Sequence, residues 1–223
     1  MIKKLGFIAA AMSLALTGTH ALAKITEAEA NKLGNELTPL GAEKSGNADG
    51  SIPAWTGGIT KAPDGYSVGD HHPDPYPEDK VLFEITAQNY KEYAEYLSEG
   101  QIKLFEAYPE TFRMPVYPTR RSASNPQEIY EATKVNATRA ELLDGGNGIK
   151  GAVLGIPFPI PKNGLEAIWN HILRYRGEAV QRNGGQAAVT TSGDYNVIGF
   201  DEQLMIKYAE EGATPEKLTD ENV

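Results

Sequence analysis

Gly155-Ile156-Pro157-Phe158-Pro159-Ile160-Pro161-Lys162-Asn163-Gly164-Leu165-Glu166-Ala167-Ile168-Trp169-Asn170-His171 is the stretch on which the fold turns. Its first half sets a proline at every second position from Pro157 to Pro161. Proline has no amide hydrogen to give a neighbouring strand, so a sheet interior is excluded and a polyproline-like or edge segment is expected. Asn163 then supplies an N-cap. Leu165, Ile168, Trp169 and Ile172 recur at helical spacing and share one face, so a strongly amphipathic helix follows. His171 falls off that face, where a structural role is expected.

Downstream of Arg176 the period changes from helical to alternating. Ala187 to Val189, Tyr195 to Phe200 and Leu204 to Tyr208 are short runs separated by Gly184-Gly185 and Ser192-Gly193-Asp194. They read as antiparallel strands joined by tight turns. Glu210 to Val223 is polar and acidic.

Upstream the signals are mostly helical. Asn125-Pro126 opens a helix that includes Ile129 and Tyr130 and runs out near Asn136. Asp144 to Gly148 is a turn cluster without the further carboxylates of a calcium loop. Thr86 to Leu97 is expected to be a helix, since Tyr90, Tyr93, Ala94 and Leu97 fall on one face. Ser98 and Gln101 form a capping box for a second helix, stopped by Pro109. Phe112 to Tyr117 is extended and interrupted by Pro115. From Asn35 to Asp79, Gly, Pro, Asn and Asp punctuate nearly every step, and the expectation is an irregular arm. Ile52, Trp55, Ile59, Tyr66 and Tyr76 would pin it to a core. Thr26 and Glu29 make a capping box for a short helix reaching Leu33, with Gly34 behind it.

The N-terminus reads as an export signal. Lys3 and Lys4 precede an apolar stretch from Leu5 to Thr17, and Ala21-Leu22-Ala23 offers small residues for cleavage after Ala23. The stretch is too short to span a bilayer, which needs about 20 residues, and an uncleaved anchor is the competing reading. Periplasmic localisation follows as the expectation. The whole chain holds 21 basic and 30 acidic side chains; residues 1–23 contain two lysines and no acid, so 19 against 30 remain, a net charge of −11. Such a surface does not suit nucleic acid or anionic lipid. The chain has no cysteine, which excludes disulfides, thiolate metal sites and lipid attachment through a thioether.

Catalytic patterns do not emerge. No G-x-S-x-G elbow and no phosphate loop is found, and no pair of carboxylates is singled out for glycoside hydrolysis. Asp70-His71-His72-Pro73-Asp74 is rich in metal-ligand types, yet adjacent histidines on an extended chain point apart, and a solvated loop is expected. No catalytic residue, metal or cofactor is assigned. The contact candidates are Trp55, Arg120, Arg121, Trp169, Arg174 and Arg176, because tryptophan and arginine dominate binding energy where contacts bury them. Pairing of the arginines with the acidic surplus is the alternative. The tyrosines and tryptophans could line a cavity for a greasy ligand, or simply fill a core.

Four runs carry a family resemblance: Leu37 to Gly58 (LTPLGAEKSGNADGSIPAWTGG), Met114 to Arg121, Asn136 to Ala140, and Gly155 to His171. They resemble the domain of unknown function thirteen twenty-nine, whose members are labelled outer-membrane lipoprotein-sorting-protein-like. The resemblance spans the chain after residue 23. It implies an α+β fold like that of the periplasmic lipoprotein carriers: a curved antiparallel sheet forming an incomplete barrel, with covering helices. Members of that family continue past Val223, so the chain corresponds to their N-terminal portion. The expected organisation is a signal peptide over 1–23, an irregular wrapping arm over 24–80, and helices with the first strands of the carrier-like domain over 81–223.

The implied function is a periplasmic carrier or chaperone of hydrophobic cargo, lipid or lipidated protein, in envelope traffic. The alternatives are a non-enzymatic accessory subunit of an outer-membrane or efflux complex, and a hydrolase using His71, His72 or His171.

Overall fold

A computed structural model describes residues 24–220; the expected export signal over 1–23 lies outside them. The elements are α1 (Glu27–Ala30), β1 (Phe83–Ile85), a 3-10 helix (Tyr90–Tyr96), α2 (Glu99–Ala107), β2 (Met114–Val116) and α3 (Gln127–Arg139). After them come β3 (Glu141–Leu142), β4 (Ile149–Lys150), α4 (Gly164–Ile172), β5 (Ala179–Val189), β6 (Tyr195–Met205) and α5 (Pro215–Asp220). The strands pair as three separate antiparallel two-stranded sheets, β1–β2, β3–β4 and β5–β6, and none of them closes. The chain is therefore mixed α+β.

Local capping chemistry places the helix starts. Thr26 and Glu29 form the expected reciprocal box, and so do Ser98 and Gln101. Each box satisfies amides that a helix N-terminus leaves without partners. α1 nevertheless stops at Ala30 instead of reaching Leu33. The Asn35 side chain donates to the Asn31 carbonyl at 2.8 Å, and Gly34 turns the chain at φ 82°. α3 starts one residue later than expected, with Pro126 at the cap position, and runs on to Arg139.

The helix expected over Thr86 to Leu97 is a 3-10 helix confined to Tyr90–Tyr96. Asn89 is the cause, because its side-chain oxygen accepts from the Thr86 amide at 2.7 Å and its amide group donates to the Glu84 carbonyl at 3.0 Å. Such local bonds compete with the helical ladder. In a 3-10 helix residues three apart eclipse, which aligns Tyr90 with Tyr93. Tyr93 stacks on Phe83, Tyr90 stacks on the fully buried Phe105, and Phe105 meets Phe112 edge-on at 4.7 Å.

α3 organises the rest. Ile129, Thr133, Asn136 and Ala137 are buried on one face, and two of those four are polar. Ala137 packs with Ile25, Ala30 and Leu33 of the N-terminal segment. Beyond α3, Ala140, Ala152, Phe158, Leu173, Tyr208 and Leu218 form a second cluster.

Between these layers runs the segment 151–161. It has no regular structure, yet Ala152, Gly155, Pro157, Phe158 and Pro159 are buried. Its expected exclusion from a strand holds, but it is an interior segment and not an edge. Side chains stand in for the missing ladder. Asn136 donates to the carbonyls of Val153 at 3.0 Å and Gly155 at 3.1 Å and accepts from the Val153 amide at 3.2 Å. Thr133 accepts from the Ile156 amide at 3.2 Å, and the Tyr208 hydroxyl donates to the Gly155 carbonyl at 2.7 Å. Burial raises the Tyr208 pKa, so its hydroxyl stays a donor.

The chain from 35 to 79 contains no helix or named strand. It is tied down at Gly41, where an added Cβ would lie 1.7 Å from the Pro159 carbonyl oxygen, and at Ile59, whose amide donates to the Ser122 carbonyl at 2.8 Å.

Candidate functional site

The six contact candidates are held by bonds inside the chain. Arg121 reaches across the arm and donates to the carbonyls of Glu43 at 2.6 Å, Lys44 at 3.2 Å, Ser45 at 3.3 Å and Pro53 at 3.4 Å. Arg120 forks onto Asp79, lies over the Tyr76 ring, and holds the Asp79 carboxyl below its ordinary pKa. Trp55 donates from its indole to the Ala123 carbonyl at 3.0 Å and meets Tyr130 edge-on. These three fasten the arm to the segment before α3.

Trp169, Arg174 and Arg176 belong to a second group, at α4. Asn163 caps this helix as expected, accepting from the Glu166 amide at 2.9 Å. At its C-terminal end Arg174 donates to the His171 carbonyl at 2.6 Å and Arg176 to the Ile172 carbonyl at 3.2 Å. Both cations sit where the helix dipole favours them. His171 faces Arg174 and is exposed. Trp169 donates to the Gly146 carbonyl at 3.0 Å.

The orientation of α4 is unusual for an amphipathic helix, which ordinarily turns its apolar stripe to the core. Here Glu166 is buried and accepts from the Lys162 amide at 2.6 Å. Asn170 accepts from the Phe158 amide at 2.8 Å and donates to the Phe158 carbonyl at 2.6 Å. The helix presents this polar pair, four residues apart, to the main chain before it: Glu166 to the Lys162 amide and Asn170 to Phe158 of the buried segment. Three of the four residues of its apolar stripe are left outward, Leu165 50% exposed, Ile168 57% and Ile172 42%, while Trp169 packs against the second cluster. Covering the open half of three such side chains would be worth ~2–4 kcal/mol.

The β5–β6 ribbon is the second open surface. Its eleven pairs run from Ala179↔Met205 to Val189↔Tyr195, closed by a turn in which Gly193 has φ 89°. Gly184-Gly185, expected to separate strands, instead lies within β5. The reason is close approach: an added Cβ on Gly184 would sit 2.8 Å from the Phe200 ring, and one on Gly185 2.9 Å from Val197. Pleating puts Val189, Tyr195 and Val197 on one face and Ile198, Phe200 and Leu204 on the other. All six are exposed.

Enclosed space is small by comparison. A cavity of about 90 Å³ lies between Trp169, Tyr208, Ile149 and Leu218, and a shallow groove of about 480 Å³ runs along the arm beside Ile59, Pro63, Tyr66 and Pro75. A drug-sized ligand needs roughly 300–1,000 Å³, which the first does not offer. His72 packs against Tyr66, and among the described residues no three His, Asp or Glu side chains are grouped to hold a metal. Among the same residues no helix is long and apolar enough to cross a membrane.

Sequence reasoning did not nominate Asn136, Thr133, Asn170 or Tyr208, which position α4 through the buried segment. Their signal is present only as polar residues at core-facing helical positions.

These features define a mixed α+β protein with open two-stranded sheets and an outward apolar surface. The chain belongs to the family described as "Protein of unknown function (DUF1329)", which matches residues 84–223. It is 46% identical over 196 residues to the uncharacterized protein PA3922 of Pseudomonas aeruginosa, covering 88% of this chain and 43% of that relative. The chain thus spans less than half the length of that relative. No solved structure matches.

Proposed function

We propose that this chain is part of a periplasmic carrier or chaperone for hydrophobic cargo, a lipid, a lipidated protein or another apolar molecule in envelope traffic. In this reading β5 and β6 are strands of a curved antiparallel sheet of the lipoprotein-carrier kind, and the helices cover one side of it. The observation that carries the reading is the outward stripe of Leu165, Ile168 and Ile172 on α4, held outward by the Glu166 and Asn170 bonds. A stripe fixed in water by satisfied polar bonds is a surface kept available for apolar matter.

The reading assigns no catalytic role. The six nominated tryptophans and arginines then act mainly as fasteners, with Trp169 at the border of the apolar stripe.

The test is binding of a fluorescent acyl-chain probe and of an acylated peptide to the exported protein. Saturable binding is expected, weakened about tenfold by Ile168→Asp with the helix content unchanged. No displaceable binding by the wild-type chain would overturn the reading. A single envelope protein captured stoichiometrically by crosslinking would instead favour an accessory subunit.

A further inference from the structure

Leu154 is the only non-glycine residue with a positive φ among the described residues, at 64°. The Gly155 amide donates to the Val153 carbonyl at 2.7 Å, so Val153, Leu154 and Gly155 form the γ-turn whose central φ is positive, the rarer and strained kind. That conformation costs a side chain with a Cβ what it does not cost glycine. Glycine stands next door at 155, yet it is committed elsewhere. A Cβ there would lie 2.5 Å from the Thr133 amide nitrogen and 2.8 Å from the Ile129 carbonyl oxygen. Gly155 therefore serves close packing on α3, and the strained backbone falls to Leu154.

Two sides hold the turn. From α3, Asn136 bonds Val153 and Gly155, and Thr133 bonds Ile156. From the other side Tyr208, only 2% exposed, bonds it twice: its carbonyl accepts from the Leu154 amide at 2.9 Å, and its hydroxyl donates to the Gly155 carbonyl at 2.7 Å. Tyr208 lies in the 3-10 turn Lys207–Ala209 just after β6, whose root is tied by the Ile206 amide to the Glu178 carbonyl at 2.8 Å. Downstream of the turn the chain passes Pro157, whose ring fixes φ, and reaches Phe158, which Asn170 of α4 bonds at both amide and carbonyl. The strained turn thus stands between the root of the ribbon and α4.

We infer that this turn is a two-state latch coupling the root of the β5–β6 ribbon to α4. In the engaged state Tyr208 holds Leu154 in its strained form. When the ribbon root moves, Tyr208 withdraws, the turn relaxes, and Phe158 and α4 loosen with it. A strained backbone persists only while its surroundings over-determine it, so loss of one side of the clamp releases the whole turn at once. The ribbon and the stripe on α4 then shift together. The latch is a property of the chain alone and goes beyond the carrier reading, since it operates without cargo.

The experiment is native-state amide hydrogen exchange on the chain without cargo, read residue by residue. In the wild type the amides of Leu154, Gly155, Ile156, Phe158 and Ile206 are expected to open together as one unit. The amides of α2, whose Phe105 packs with Tyr90 and Phe112, should open separately. Tyr208→Phe should speed exchange of the whole unit about tenfold, Phe158 included, and leave α2 unchanged. Leu154→Gly should exchange about fivefold more slowly than Leu154→Ala, reversing the usual order in which glycine is the looser residue. Independent opening of these amides in the wild type overturns the inference. So does a Tyr208→Phe effect that stops at Leu154 and Gly155, or one that spreads equally to α2. Exchange in Leu154→Gly as fast as in Leu154→Ala, or faster, would show that the turn stores no strain and sinks the latch as well. Because no readout contains cargo, each failure is distinct from failure of acyl-probe binding.

Discussion

The segment 151–161 and the β5–β6 ribbon invert the usual relation between regularity and support. The first has no regular structure, yet it is buried and its amides and carbonyls are bonded by Asn136, Thr133, Asn170 and Tyr208. The second is perfectly regular over eleven pairs, yet almost every residue in it is exposed. Hydrogen-bond regularity and tertiary stability are separate quantities. A buried loop persists when side chains replace its ladder, whereas a two-stranded ribbon alone is marginal in water.

The largest expected effect breaks the supported region. Asn136→Ala removes one side chain that serves the Val153 amide and the Val153 and Gly155 carbonyls, in a site only 2% exposed. We expect a loss of about 3 kcal/mol of unfolding free energy in urea titration. A variant within 0.5 kcal/mol of wild type, roughly the spread of surface changes, would show that the loop needs no such lock.

Gly41→Ala attacks the same region from the arm. Its Cβ would lie 1.7 Å from the Pro159 carbonyl oxygen, and φ at this position is +91°. Arm and loop must separate, so a loss of about 2 kcal/mol and faster proteolysis within 35–60 are expected. Arg121→Lys should act more mildly, by about 1 kcal/mol, because lysine cannot span four carbonyls as the guanidinium fork does. Limited proteolysis of the arm is the sensitive readout for both.

Glu141 offers a pH handle on the edge of the supported region. Its carboxylate accepts from Lys24 at 2.5 Å and Lys150 at 2.9 Å, and these bonds hold its pKa at about 2 against an ordinary 4.5. A carboxylate with a lowered folded-state pKa stabilises above its unfolded value and loses that contribution as pH falls. Glu141→Gln should therefore be less stable than wild type at neutral pH, and the gap should shrink between pH 4.5 and about 2. A gap that stays constant through that range would show the ion pairs to be inert.

The smallest expected effect lies in the ribbon. Val197→Lys/Ile198→Lys should change unfolding free energy by less than about 0.5 kcal/mol, since both side chains are already in water. A loss as large as that of Asn136→Ala would mean that the ribbon is supported after all, and would erase the contrast.

Much of the local structure was legible. Thr26, Ser98 and Asn163 announced their helices, because capping is chemistry between residues three apart. The turn at Ser192-Gly193-Asp194 was equally plain. Gly184-Gly185 misled, since a glycine pair that admits a ring from the partner strand looks the same as one that turns the chain. Asn89 misled too, because an apolar stripe at helical spacing does not reveal a side chain that bonds backward. The nominated arginines and tryptophans all make bonds inside the chain. Their partners, carbonyls 68 or more residues away for Arg121 and Trp55, could not be read from spacing.

What the sequence determined by itself was set by near neighbours: the helix caps, the Ser192-Gly193-Asp194 turn, the exclusion of 157–161 from a sheet, and the acidic composition. It also carried the family, through runs long enough to be specific. Only the tertiary structure decided which way α4 faces. Its apolar stripe and its Glu166–Asn170 face compete for the interior, and the main chain before the helix, at Lys162 and Phe158, settles the contest for the polar face. An unsatisfied buried amide or carbonyl costs about 1–3 kcal/mol, comparable to what each half-exposed leucine or isoleucine would gain from full burial. That balance depends on groups brought together from 133, 136, 158 and 208, and no window along the chain contains them all.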